Sequence, residues 1–64
     1  MIKIVDDTAF PKTTENSVEV FKVVWVNKNG NRASNTYDKL EKAMKTAEKR
    51  NVGFVFRQYI AGWL

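Results

Sequence analysis

The sequence predicts a small α+β domain: an antiparallel or mixed sheet of three to four strands with one helix packed on one face, in the order strand, long loop, strand, strand, helix, strand. Three observations carry this reading. Val18 to Val26 is a valine-rich run with the composition of a strand, an Asn29-Gly30 pair follows where a hairpin would turn, and Leu40, Ala43, Met44 and Ala47 recur at helical spacing. The 64 residues leave room for a single domain spanning 1–64. A chain of this size buries only about 60% of the surface its unfolded form exposes, so most large apolar side chains are needed for the core.

The elements follow in order. Ile2, Ile4 and Val5 around Lys3 read as a first strand over residues 2–5, ending at Asp6-Asp7. Residues 6–17 hold the sole proline and no periodicity, so they read as a loop of about a dozen residues. Phe10-Pro11 within it is expected to pin the loop to the body, with an exposed contact residue as the alternative. Val18 to Val26 is apolar on both sides: Phe21, Val23 and Trp25 point one way, and Val18, Val20, Val24 and Val26 the other, interrupted by Lys22. Such a strand sits centrally and is covered on both faces.

Asn-Gly is the preferred pair for a two-residue type I′ turn, in which both positions take positive φ. A turn centred there pairs Val26 with Ala33, Trp25 with Ser34 and Val24 with Asn35, with a short return strand from Arg32 to Tyr37. Asp38 is then expected as a helix N-cap with Glu41 three residues on, and the helix should run to about Arg50, closed by Asn51 or Gly53. Phe54 to Ile60 alternates as a last strand, and Ala61-Gly62-Trp63-Leu64 forms an apolar tail.

The composition excludes much chemistry. With no His and no Cys there is no imidazole base or metal ligand and no thiolate nucleophile, and the three glycines are scattered rather than gathered in a phosphate loop. Asp6 and Asp7 are adjacent, so in a strand they point to opposite sides. The chain is expected not to be an enzyme and to need no cofactor. Its longest apolar run, Val23 to Val26, is far below the ~20 residues of a membrane span. No membrane association is expected, and the bacterial or phage-infected host cytosol is the expected location.

Function is therefore expected from a surface. One helix covers one face of a small sheet, assigned here to Phe21, Val23, Trp25, Phe54 and Phe56. The other face would show Val18, Val20, Lys22, Val24, Val26, Asn35, Val55, Arg57 and Tyr59, a mixed apolar and basic patch of the kind that binds a protein. Val20, Lys22, Val24, Val26, Arg57 and Tyr59 are the expected contacts, with a partner bearing an acidic surface or with a second copy. There are two alternatives: that the Phe10 loop and the Trp63-Leu64 tail fold across this face, or that the face assignment is inverted.

Charge offers a second reading. Residues 1–20 carry two bases against four acids, a net of −2, and residues 21–64 nine bases against three acids, a net of +6. A basic body attracts phosphate backbones or an acidic protein face. A DNA- or RNA-binding accessory domain is thus the alternative function, using Lys22, Lys28, Arg32, Asn35, Lys42, Lys45 and Lys49.

Trp25, Asn29-Gly30, Arg32, Tyr37, Glu41 and Ala43, within residues 21–47, resemble the AP2-like N-terminal arm-binding domains of phage and transposon integrases. In that family an aromatic-rich strand, a tight hairpin and a basic return strand precede an amphipathic helix. The resemblance implies DNA reading by the sheet face through Lys22, Arg32 and Asn35. In size, composition and element order the chain is also similar to small phage-encoded proteins that bind and modulate a host enzyme. That likeness implies a regulator or inhibitor.

Overall fold

The computed structural model describes residues 1–61. It contains β1 (Lys3–Asp6), β2 (Val18–Val26), β3 (Arg32–Tyr37), α1 (Leu40–Arg50) and β4 (Phe54–Ile60). The four strands form one mixed sheet in the order β1-β4-β2-β3. β2 pairs antiparallel with both of its neighbours, and β1 lies parallel to β4 at the far edge. The valine-rich strand is central, as its two apolar faces require. No helix of the described residues is long and apolar enough to cross a membrane.

The core lies between α1 and one face of the sheet. Phe21, Val23, Ala43, Ala47 and Val55 form it, with Ile2, Trp25, Tyr37, Leu40, Met44 and Val52 packed around them. Val23, Val55, Ala43 and Ala47 are fully buried. The helix turns Ala43 and Ala47 toward the sheet, where they share the core with Phe21, Val23 and Val55. Tyr37 closes one side of the core through a 2.6 Å hydrogen bond between its hydroxyl and Thr46 Oγ1.

The register between β2 and β4 corrects the expected sides of the last strand. Val55, not Phe54 or Phe56, packs beneath α1. In the β2–β4 ladder Lys22 stands opposite Phe56 and Phe21 opposite Arg57. Directly opposed residues share a face, so Phe54 and Phe56 lie on the side away from the helix, and Arg57 and Tyr59 lie on the helix side. Alternation shows that a strand has two faces, but inter-strand register decides which one is inward.

The hairpin also differs from expectation by one residue. Gly30 N donates to Asn27 O at 2.9 Å, Asn27 N donates to Asn31 O at 2.9 Å, and Gly30 alone takes a left-handed φ, of 82°. This is a three-residue loop, a type I turn followed by a left-handed glycine. The side chain of Asn27 selects it, because Asn27 Oδ1 accepts from both Asn29 N (3.1 Å) and Asn31 N (3.2 Å). Val26 therefore pairs with Arg32, Trp25 with Ala33 and Val24 with Ser34. Asn35, opposite Val23, moves to the helix side, where its amide donates to the Tyr37 hydroxyl at 3.2 Å.

At the start of α1 the N-cap is Lys39, not Asp38, and no side chain caps the helix. Asp38 lies one residue too early and instead meets Lys42 Nζ at 3.5 Å. The C-terminus is as expected: Asn51 takes the left-handed cap with φ 58°, and Lys49 and Arg50 sit in the last turn, where cations oppose the helix dipole. Replacing a cap residue that cannot accept a hydrogen bond with one that can is worth ~0.5–2 kcal/mol. Lys39→Asp is accordingly expected to raise the denaturation midpoint, measured by urea titration, and an unchanged midpoint would show that the amides of the first turn already have partners.

The segment from Asp7 to Ser17 is fixed by its first residues. Asp7 N donates to Arg57 O at 2.9 Å and Tyr59 N donates to Phe10 O at 2.9 Å, extending the pairing along the edge of β4. Phe10 thus anchors the loop through its backbone, while its side chain is exposed.

Candidate functional site

The face away from α1 gathers one residue from every second position of each strand. Lys3 and Val5 come from β1, Phe54, Phe56, Gln58 and Ile60 from β4, Val18, Val20, Lys22, Val24 and Val26 from β2, and Arg32, Ser34 and Thr36 from β3. Val5, Val18, Val26, Phe54 and Ile60 are all exposed, Val26 at 65%. Phe54 and Phe56 pack edge to face with ring centroids 5.0 Å apart. Isolated exposed apolar residues are ordinary, whereas these are spread over three adjacent strands of one face.

One end of this face is closed. Val20 and Gln58, opposed in the ladder, are 8% and 6% exposed. Gln58 Nε2 donates to Asp7 Oδ2 at 2.9 Å, and Asp7 Oδ1 accepts from Ala9 N at 3.0 Å. The start of the 7–17 segment therefore seals this end, in partial agreement with the expectation that the Phe10 loop crosses the face. The expected cover from Trp63 and Leu64 lies outside the described residues.

These bonds hold the Asp7 carboxyl below its ordinary pKa of 3.8, Gln58 contributing most, then the Ala9 amide, with the charge of Lys22 adding to them. A carboxyl whose pKa is lowered by folding stabilises the fold above the unfolded value and loses that contribution as pH falls through the folded one. The melting temperature should thus decline below about pH 4 partly through Asp7. Asp7→Asn should flatten that acid limb, and an identical pH profile in the variant would show that Asp7 takes no part in it.

Lys22 occupies the middle of the face. It is half-buried between Phe56 on one side and Thr36 on the other, with Val20 and Val24 along its own strand. Among the described residues it forms no ion pair within 4.0 Å. Its charge still reaches the Asp7 carboxylate at the closed end of the face, without an ion pair between them.

Of the six expected contact residues, the structure brings Val20, Lys22, Val24 and Val26 together on this face, with Val20 closed off. Arg57 and Tyr59 are on the other side. There Arg57 Nε lies 3.5 Å from Asp6 Oδ1 and 3.8 Å from Glu19 Oε2, and the Tyr59 hydroxyl donates to Glu19 Oε2 at 3.1 Å. Their places on the open face are taken by Val5, Phe54, Phe56 and Ile60. The alternating aromatics of the last strand were the available signal for these, with the parity reversed.

The residues expected to contact nucleic acid are dispersed. Lys22 and Arg32 are on the open face, Asn35 is bound to Tyr37 on the other, and Lys42 is paired with Asp38. Lys45 and Lys49 lie on the exposed helix surface, and Lys28 at the hairpin tip lines a cleft with Lys49. A larger concavity of about 910 Å³ at the start of α1 is lined by Glu19, Asp38, Glu41, Lys39 and Arg57, opposite charges side by side. Among the described residues no three carboxylates gather as metal ligands would.

Fold and face together define a helix-backed sheet domain with one side left largely uncovered among the described residues. No family model, no curated protein and no solved structure matches this chain.

Proposed function

We propose that this chain is a small non-enzymatic binding protein, a regulator or inhibitor, that docks a protein partner on the open sheet face. The observation that carries the reading is the exposed apolar patch around Lys22, which forms no ion pair among the described residues although its charge reaches Asp7. Valine and phenylalanine around it supply area that gains from leaving water, and the ammonium selects a partner that brings a carboxylate to the middle of the contact. Lys3 and Arg32 at the margins add to a positive rim. The cation at the centre argues against two copies stacked face to face, which would bring like charges together. An acidic, partly apolar surface is the matching chemistry.

The test is retention of a partner by immobilised protein after nuclease treatment. Val24→Asp and Lys22→Glu should each weaken retention at least ~10-fold, as loss of a central interface residue does, while both variants melt near the wild-type temperature. Retention unchanged in both variants would place the contact elsewhere. Loss of retention accompanied by unfolding of both would show that the chain itself covers this face.

A further inference from the structure

Charge is distributed along α1 as well as across the sheet. Both signs meet around its start, where Glu19, Asp38 and Glu41 line the large concavity with Lys39 and Arg57. At its far end the hairpin tip and the last helical turn enclose a second cleft of about 560 Å³, lined by Trp25, Lys28, Asn29, Lys49 and Arg50 among others, with no carboxylate among its lining residues. The Arg50 guanidinium lies over the Trp25 ring, 4.7 Å from its centroid. Lys49 and Arg50 are accounted for in part by the helix dipole. Lys28 is not, because it comes from a separate element and converges on the same cleft. None of the three cations forms an ion pair among the described residues.

We propose that this cleft binds the phosphate backbone of a single-stranded nucleic acid, a site separate from the sheet face and independent of the partner docked there. Lys28 and Lys49 reach the cleft from opposite walls and take phosphate oxygens. Arg50, held over Trp25, presents a flat guanidinium surface on which an unstacked base can lie. The Asn29 side chain, which makes no hydrogen bond among the described residues, adds an amide at the rim. Ligand pockets span roughly 300–1,000 Å³, so a cleft of this volume suits a nucleotide-sized group. A concave cleft accepts a flexible strand, whereas reading a duplex requires an element that projects into a groove. Lys45, one turn before Lys49 on the same side of α1, continues the positive path away from the cleft.

The experiment is fluorescence anisotropy with a labelled single-stranded oligonucleotide of about ten nucleotides, within the span a small domain covers. Two phosphate contacts, from Lys28 and Lys49, at ~0.7 each give a log–log salt slope of about −1.4, so affinity should fall about 7-fold between ~50 and ~200 mM salt. Lys28→Gln with Lys49→Gln should reduce the slope by about 1.4. Arg50→Lys should keep the slope and lose the preference for single strand over duplex. Lys39→Gln, at the other end of the helix, and Val24→Asp, on the sheet face, should leave binding unchanged.

As a measurement that needs no variant, bound oligonucleotide should shield the amines of Lys28 and Lys49 from acetylation while Lys39 reacts freely. Three results would each overturn the proposal: no binding at low salt, a duplex bound as tightly as the single strand, or polyglutamate competing as well as the oligonucleotide. Equal acetylation of all three lysines in the bound state would do the same.

Discussion

Val55→Asp is expected to abolish the cooperative melting transition, whereas Phe56→Asp, one residue further along the same strand, leaves the domain folded. Val55 is fully buried, and Ala43 and Ala47 share its core without a donor to offer a carboxylate. An unpaired buried charge costs several kcal/mol, and a domain of this size has ~3–10 kcal/mol in total. Phe56 is half-buried on the open face, and its ladder partner is Lys22, which forms no ion pair among the described residues. An aspartate there loses the contact with Phe54, roughly 0.5–1.5 kcal/mol beyond the buried area, but gains an opposite charge across the strand pair. Far-ultraviolet circular dichroism on the two variants is sufficient. If Phe56→Asp unfolds and Val55→Asp does not, the last strand lies the other way round.

Phe21→Ala is expected to destabilise the domain by ~3–5 kcal/mol, the range for removing a buried phenylalanine. Phe21 is 6% exposed and is the sole aromatic among the buried core residues. It stands near the start of α1, where it lines the large concavity with Leu40 and Met44. The vacated volume would open onto that concavity and admit water rather than collapse. Urea denaturation should show the midpoint falling by most of its wild-type value with little change in slope. A loss under ~1 kcal/mol would show that Leu40 and Met44 close over the gap.

Much of this fold is legible in the sequence because it rests on local chemistry. Asn51 reads as a left-handed cap from the residue type alone, and the helical stripe of Leu40, Ala43, Met44 and Ala47 identifies the buried side of α1. Val18 to Val26 announces a central strand by being apolar on both sides. What stayed hidden depends on relations between elements. Asn27 accepts two amides across its own turn, which favours the three-residue loop over the shorter one that Asn29-Gly30 predicts, and this shift alone carries Asn35 from one face to the other. The sides of the last strand follow from its register with β2, which sets Phe56 opposite Lys22 and Arg57 opposite Phe21, and no alternation within the strand can give that. The candidate face was legible for β2 and reversed for β4 for that reason.

The parallel pairing of β1 with β4 has a consequence for how the chain reaches this state. The first strand has no partner until the last one exists, since β4 lies between β1 and β2. A nascent chain that has emerged only as far as α1 holds the β2–β3 hairpin and the helix, with Ile4, Val5 and one edge of β2 still unsatisfied. Joining residues 3–6 to residues 54–57 closes a loop of nearly the whole domain, the kind of distant contact that slows folding. Synthesis of the final strand is therefore the committing event, and ribosome-bound chains that stop before Phe54 should be open to protease while those that carry Ile60 clear of the exit tunnel are protected.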